Sequence, residues 1–314
     1  WRPAARQPRS GPDAILRCMK RYVRTVLAIG IVAVTIGAFA YYVANHPETL
    51  RQISNLQPLL LGALLALFAL AFLAWVLVTR ASLRLFGKTM TRQENILFNA
   101  YSSLINFFGP GQTGPAFRGL YLKKRHNLDI KKYVFATLMY YGFYAVLNAM
   151  LMLAGSRPWW QTVLGMLAAA GASVVLIRWY KQRARIGDLH LSLPAIGWIF
   201  AATVLQVATL TAIYAVELHN VGASASLGQV MAYTGVANFS LFVALTPGAI
   251  GIREAFLVFS QQLHHIDSST IVAANIIDRA VYFVFLGILF VAVVGLHAKD
   301  KLLRTPTPPQ SKES

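Results

Sequence analysis

The chain has 314 residues, of which 56% are hydrophobic and 13% charged, and it carries 29 Lys and Arg against 11 Asp and Glu for a formal net charge of +18. A soluble domain is nearer about 45–50% apolar and about 25% charged, so this composition points to a membrane protein. Cys18 is the sole cysteine and the seven His are scattered, which excludes a disulfide scaffold, a cysteine metal site and a zinc-finger DNA binder, and predicts no metal or other cofactor.

The leader 1–24 is basic and too polar for the apolar core of a signal peptide. A bilayer core of about 30 Å needs about 20 apolar residues as helix. Thr25–Ala44, Gln57–Thr79, Lys132–Ala154, Trp159–Trp179 and Leu193–Val216 meet that length, and Thr25–Ala44 reads as a retained helix. Ile271–Leu296 is a sixth span, although it contains Asp278 and Arg279. Two further apolar segments are broken. Asn95–Phe108 stops at Gly109-Pro110-Gly111 and Gln112–Leu122 follows; Gln229–Leu245 stops at Thr246-Pro247-Gly248 and Ala249–Leu263 returns. Proline lacks the amide hydrogen and clashes with the preceding turn, so each segment is either one kinked span or a re-entrant helical hairpin.

Loop charge decides between these. Of the 29 Lys and Arg, 24 lie in segments 1–24, 80–94, 123–132, 178–188 and 297–314, while the other connections hold only Arg51 and Arg157. Cytoplasmic loops carry the excess of basic residues. Both loops flanking the first broken segment are basic, so it enters and leaves on the cytoplasmic side. Both loops flanking the second are poor in Lys and Arg, so it enters from outside. Six crossings then place both termini in the cytoplasm, and the +18 records topology, with no nucleic-acid partner implied. The same order recurs 137 residues later: Pro110-Gly111 and Gly114 fall on Pro247-Gly248 and Gly251, and the three spans of the first half fall on those of the second. Each unit has three crossings, so the copies are inverted. The expected fold is an all-α polytopic membrane protein of two inverted repeats, 25–154 and 155–296, each with three transmembrane helices and a Pro-Gly-broken re-entrant hairpin. A basic leader (1–24) and a cytoplasmic tail (297–314) flank them.

Paired broken helices point to a transporter with its site where the breaks meet. Arg118, Arg253, Glu254, Asp278 and Arg279 are the ionisable residues left in membrane elements, and each is costly there unless it faces the protein interior or water. Two return-helix N-termini at Gly111 and Gly248, with Gly114 and Gly251 close behind, would add positive potential and suit a phosphate. The expected site for an anionic headgroup is therefore Gly111, Gly114, Arg118, Gly248, Gly251, Arg253, Glu254, Asp278 and Arg279. Arg253-Glu254 and Asp278-Arg279 read either as ion pairs locking the second hairpin to the last helix or as headgroup ligands. Arg118, without an acidic neighbour, either joins the site or snorkels to the surface. Asp129 and Asp267 read as helix N-caps. His264-His265 reads as a solvated loop pair and Glu217 as a solvated helix end. Tyr140, Tyr141 and Tyr144 occupy the place in the first copy that Asp278-Arg279 hold in the second.

Pro110-Gly-Gln-Thr-Gly-Pro-Ala-Phe-Arg118 and Leu245-Thr-Pro-Gly-Ala-Ile-Gly-Ile-Arg253-Glu254-Ala255 resemble the two signatures of the lysylphosphatidylglycerol synthase/flippase transmembrane family. The resemblance implies movement of lipids or lipid-linked groups across a membrane, in some members beside an aminoacyl-lipid synthase domain or an allied glycosyltransferase. The chain departs from the family at Pro115, where an acidic residue is usual, and at Tyr140-Tyr141, where a charged pair is common. The short tail after Leu296 leaves no room for the synthase domain, so lipid aminoacylation by this chain alone is not expected. The function read from these features is a flippase for an anionic lipid or a polyprenyl-phosphate-linked sugar in the cell inner membrane. The alternative is an enzyme, or a non-catalytic subunit, of envelope glycolipid or polysaccharide assembly. No acid/base pair or metal carboxylates stand in the loops, which argues against an enzyme. The expected partners are the membrane lipid or lipid-linked sugar and, in the alternative, a glycosyltransferase or envelope enzyme.

Overall fold

The computed structural model describes residues 57–108, 113–154, 158–183, 192–242 and 252–303, together with Tyr41 and Ala44. The chain separates into two units, Trp1–Arg51 and Gln52–Ser314, and the second holds the fold described below. The expected span Thr25–Ala44 and the glycines Gly111, Gly248 and Gly251 lie outside the described residues, apart from helical Tyr41 and Ala44.

The described residues form ten helices and no strands: α1 (Pro58–Arg84), α2 (Arg92–Phe108), α3 (Thr113–His126), α4 (Ile130–Ala154), α5 (Trp159–Arg183), α6 (Leu193–Asn220), α7 (Leu227–Ser240), α8 (Ile252–Phe259), α9 (Gln261–His264) and α10 (Ser268–Leu303). Five of them, α1, α4, α5, α6 and α10, are long and apolar enough to cross a membrane. Each covers one of the expected spans, save Gln57, the extended N-cap of α1, and runs on past its C-terminal end in α1, α5, α6 and α10 or starts before it in α4 and α10. Pro58 and Pro194 start α1 and α6 in the first turn, where a missing amide hydrogen costs nothing. Gly87 and Gly222 end them with positive φ, the conformation that glycine adopts most easily. Asp129 precedes α4 and accepts the Lys131 amide at 3.0 Å, an N-cap as expected. Ser226 and Gln229 cap α7 reciprocally.

The two broken segments are antiparallel helical pairs. In the first, α2 and α3 face one another from Glu94 beside Tyr121 to Ile105 beside Thr113. In the second, α7 is paired by α8 and α9, with Gln229 donating to the His265 carbonyl at 3.5 Å. The expected continuous return arm Ala249–Leu263 is interrupted at Ser260. That residue leaves helical geometry and turns its hydroxyl back onto the Phe256 carbonyl at 2.7 Å.

Packing centres on α1 laid along α6, and on α4 laid along α5 and α7. One cluster joins Leu64 and Phe68 of α1 to Ile213 and Leu218 of α6 and to Ile277 and Val281 of α10. A second joins Phe135 and Met139 of α4 to Ile199 and Ala202 of α6. The α5 helix is the least buried, exposing Leu164, Leu167, Val175 and Trp179. Such a surface is a liability in water and an ordinary one against acyl chains.

Candidate functional site

The first hairpin is bound together by polar side chains at each level. Thr113 donates to the Ile105 carbonyl at 3.0 Å and the Gly114 amide donates to Asn106 Oδ1 at 3.2 Å. A Cβ on Gly114 would sit 2.8 Å from Asn106 Cβ and 2.9 Å from the Ser102 carbonyl oxygen, so only glycine permits this approach. The Gly114 amide, expected to face an anion, is thus engaged inside the hairpin. At the base, Glu94 accepts from Tyr121 and pairs with His126 Nε2, both at 2.9 Å.

Arg118 does not snorkel. Its Nε donates to Ser102 Oγ at 2.6 Å, and its guanidinium lies 4.2 Å from the centre of the Trp75 ring. The hydroxyl and the ring face give the cation a place inside, so the side chain is buried. Among the described residues, none of its hydrogen bonds or ion pairs is to a carboxylate.

In the second half the four expected charges pair between hairpin and last helix. Arg253 Nη1 on α8 meets Asp278 Oδ2 on α10 at 2.6 Å, and Arg279 Nη2 meets Glu254 Oε1 at 3.2 Å. One turn-start on α8 and one step on α10 give two parallel bridges. Arg253 also lies over the Tyr214 ring, 5.0 Å from its centre, and its Nε and Nη2 have no hydrogen-bond partner among the described residues.

Two sequence expectations fail here. Glu217 is 1% exposed and not solvated, because α6 continues to Asn220 and packs α7 and α10 over this turn. His264 is fully buried: α9 folds the ring back so that Nε2 meets the Leu257 carbonyl at 3.0 Å while Nδ1 accepts the Ile266 amide at 3.2 Å. His265, its neighbour, is exposed as expected.

These elements enclose a cavity of about 340 Å³ beside the middle turns of α1, α4, α6 and α10. Arg118, Arg253, Asp278 and Arg279 line it, and most of the remaining wall is contributed by aromatic residues such as Trp75, Tyr140, Tyr214 and Tyr282. The volume falls within the usual range for small-molecule sites. Both hairpins contribute, so Arg118 and the Arg253–Asp278 pair, far apart in sequence, share one space. Glu254 and Gly114 stand outside the wall and support it. Sequence reading missed Glu217, the Trp75 platform and Gln206, which accepts the Tyr140 hydroxyl at 3.0 Å. Only a polar residue recurring within apolar helices could have drawn attention to Gln206.

A helical bundle with five membrane-length helices, two paired short-helix hairpins and a charged, aromatic-walled cavity defines a polytopic membrane protein. The chain belongs to the family described as the lysylphosphatidylglycerol synthase TM region, which it matches over residues 25–289. Searches of characterised proteins and of solved structures return no match.

Proposed function

We propose that the protein moves an anionic lipid, or a polyprenyl-phosphate-linked sugar, across the cell inner membrane, with the headgroup passing through the cavity. The observation that carries this reading is Arg118. It is a buried cation whose described partners are a hydroxyl and an indole face, at the wall of a cavity large enough for a headgroup. A buried cation without a counter-charge is costly, and an anionic phosphate supplies one. The aromatic wall is compatible with a glycerol or sugar moiety and with the first methylenes of an acyl or prenyl chain. Membership of a family whose name joins a membrane region to a lipid synthase supports a lipid as cargo.

Re-entrance of the two hairpins and inversion of the two halves complete the proposal. The breaks recur at an interval of 137 residues, and among the described helices a long helix, a hairpin and a long helix follow in that order in both halves. An α2 of 17 residues spans about 25 Å at about 1.5 Å per residue, short of a full crossing of about 30 Å. The two units are residues 25–154 and 155–296, and both termini are cytoplasmic.

The test is flipping in proteoliposomes. Fluorescent phosphatidylglycerol should exchange between leaflets, and Arg118→Gln, which keeps a donor for Ser102, should fold and lose exchange. Equal exchange of a zwitterionic lipid by both forms would defeat the anion reading. The family name also favours a second reading, a membrane subunit for an envelope glycolipid enzyme. Its mark would be a glycosyltransferase that co-purifies in fixed ratio, with no lipid exchange by the protein alone.

A further inference from the structure

Gln206 lies midway along α6, between the apolar Leu205 and Val207. A primary amide at that depth is costly unless the protein or a ligand bonds it. Its side chain lines the cavity and is part-buried. Among the described residues it has one hydrogen-bond partner, the Tyr140 hydroxyl, which donates to Oε1 at 3.0 Å. An amide has two N–H donors and two oxygen lone pairs, so this single bond leaves most of its capacity unused. With Oε1 turned to Tyr140, both Nε2 hydrogens remain for a ligand.

The phenol that orients the amide is itself fixed by packing. Trp75 meets the Tyr140 ring edge-on with centres 4.7 Å apart, and Tyr141 and Tyr144 lie 5.1 and 5.7 Å away. Charge on the same wall sets what the amide can serve. Arg118, Arg253 and Arg279 stand there with Asp278, and Glu254 bridges to Arg279, so the five groups carry one net positive charge. Asp278 is the sole carboxylate among the described residues of the wall, and Arg253 holds it at 2.6 Å. One phosphodiester charge balances the set. A headgroup ammonium would meet the surplus of guanidinium groups and a carboxylate already bound to one of them.

We propose that Gln206, oriented by Tyr140, is a hydroxyl-recognising subsite beside the arginines, so that the cavity selects a monoanionic phosphodiester whose headgroup is a neutral polyol and rejects one that carries an amine. The subsite rests on the anion reading above and adds to it the class of headgroup. A hydroxyl suits the amide because it can accept from Nε2 and donate to the remaining lone pair of Oε1. The rings of Tyr140, Tyr141 and Tyr144, which line the same cavity, suit the C–H groups beside it. Phosphoglycerol and a sugar phosphodiester share this chemistry. An analogue without the hydroxyl leaves the amide unbonded in an apolar span, and a site built to hydrogen-bond a hydroxyl discriminates in that way.

The experiment is calorimetric binding of short-chain lipids to the purified full chain in detergent. One pair is phosphatidylglycerol and phosphatidylethanol, which has the same charge and no hydroxyl. The second is prenyl glucosyl phosphate and prenyl methyl phosphate, and phosphatidylethanolamine supplies the amine. The subsite predicts that the hydroxylated member of a pair binds about tenfold tighter or more than the plain one, and that phosphatidylethanolamine binds weakest. Preference within the first pair alone assigns a glycerolipid, and within the second alone a prenyl-linked sugar. Gln206→Leu should bind both members equally, at the level of the plain lipid. Tyr140→Phe, which lets the amide turn, should lose part of the preference. A purely structural tie between α4 and α6 would lower the melting temperature of Gln206→Leu and leave the preference intact, which would overturn the subsite. Equal binding within both pairs by the unaltered protein would overturn it without any variant and leave the anion reading standing. Phosphatidylethanolamine bound as tightly as the anionic lipids, or no lipid bound at all, would overturn both.

Discussion

Asn238 on α7 donates its amide to Asn148 Oδ1 on α4 at 2.7 Å, and both side chains are wholly buried. The bond ties a hairpin of the second half to a span of the first, 90 residues away. It can form because Gly235, one turn earlier, lets the two backbones touch: a Cβ there would lie 2.5 Å from the Met152 nitrogen and 2.7 Å from the Asn148 carbonyl oxygen. Small residues and interhelical amides are the means by which helices associate where no hydrophobic drive separates protein from lipid. Gly235→Ala should therefore push α7 from α4 and cost about 1–3 kcal/mol, seen as a lower melting temperature in detergent. Gly197→Ala, with nothing within 4 Å of the added carbon, should be neutral or slightly stabilising. Equal melting of the two variants would contradict this account of the α4–α7 contact.

The Arg253–Asp278 bridge separates folding from function. Removing one partner leaves a buried charge unpaired, at a typical cost of about 3–5 kcal/mol, so Arg253→Ala should reduce the yield of folded protein. Replacing both residues with Leu removes the charge imbalance and should restore most of the yield. On the proposed anion reading, lipid exchange should stay absent in the double variant, because Arg253 then serves the headgroup and not only as a lock. A double variant that folds and transports at the normal rate would reduce the bridge to a structural element.

The long helices were legible because a membrane imposes a minimum apolar length that few other structures imitate. Pro110 and Pro247 likewise announced the breaks, since proline disrupts a helix in a way local composition cannot hide. The charges Arg253, Glu254, Asp278 and Arg279 stood out against apolar neighbours, and their pairing between hairpin and last helix was one of two readings the sequence left open. Glu217 was illegible for the opposite reason. A carboxylate three residues from a helix end is usually solvated, and only the packing of α7 and α10 over that turn reverses the expectation. Arg118 needed the same kind of information: its hydroxyl partner is 16 residues away and its indole lies on another helix. The cavity is illegible in principle, because its aromatic wall comes from helices whose rings look like ordinary packing.

His264 gives a pH signature outside the five spans. Burial lowers its proton affinity below the ordinary value, with the Leu257 carbonyl opposing the shift. The free imidazole titrates near about 6.5, so below that pH the unfolded chain binds a proton that the folded one resists. Stability is unaffected above that value and falls as pH drops through it, until the folded-state value is passed. Melting curves in detergent should thus decline from pH 7 to pH 5, and His264→Gln should show a shallower decline. A variant whose decline is as steep as the parent's would place the acid sensitivity elsewhere.

The proposed topology rests on loop charge and can be read by labelling. Cys18 is first changed to Ser, since it is the sole native cysteine. Ser224→Cys lies in the exposed connection between α6 and α7, which lacks Lys and Arg, and should react with a membrane-impermeant maleimide in intact cells. Arg125→Cys lies in the basic last turn of α3 and should react only after the membrane is opened, as should Lys88→Cys before α2. The pair Lys88 and Arg125 is the decisive one, because it brackets the first hairpin. Both positions on the inner side make α2 and α3 a re-entrant pair, as their antiparallel bonding from Glu94–Tyr121 to Ile105–Thr113 favours. Labelling of Arg125→Cys from outside, with Lys88→Cys protected, would make the segment a crossing. The number of crossings in the first half would then be even, the two halves would share one orientation, and the inverted arrangement would have to be abandoned.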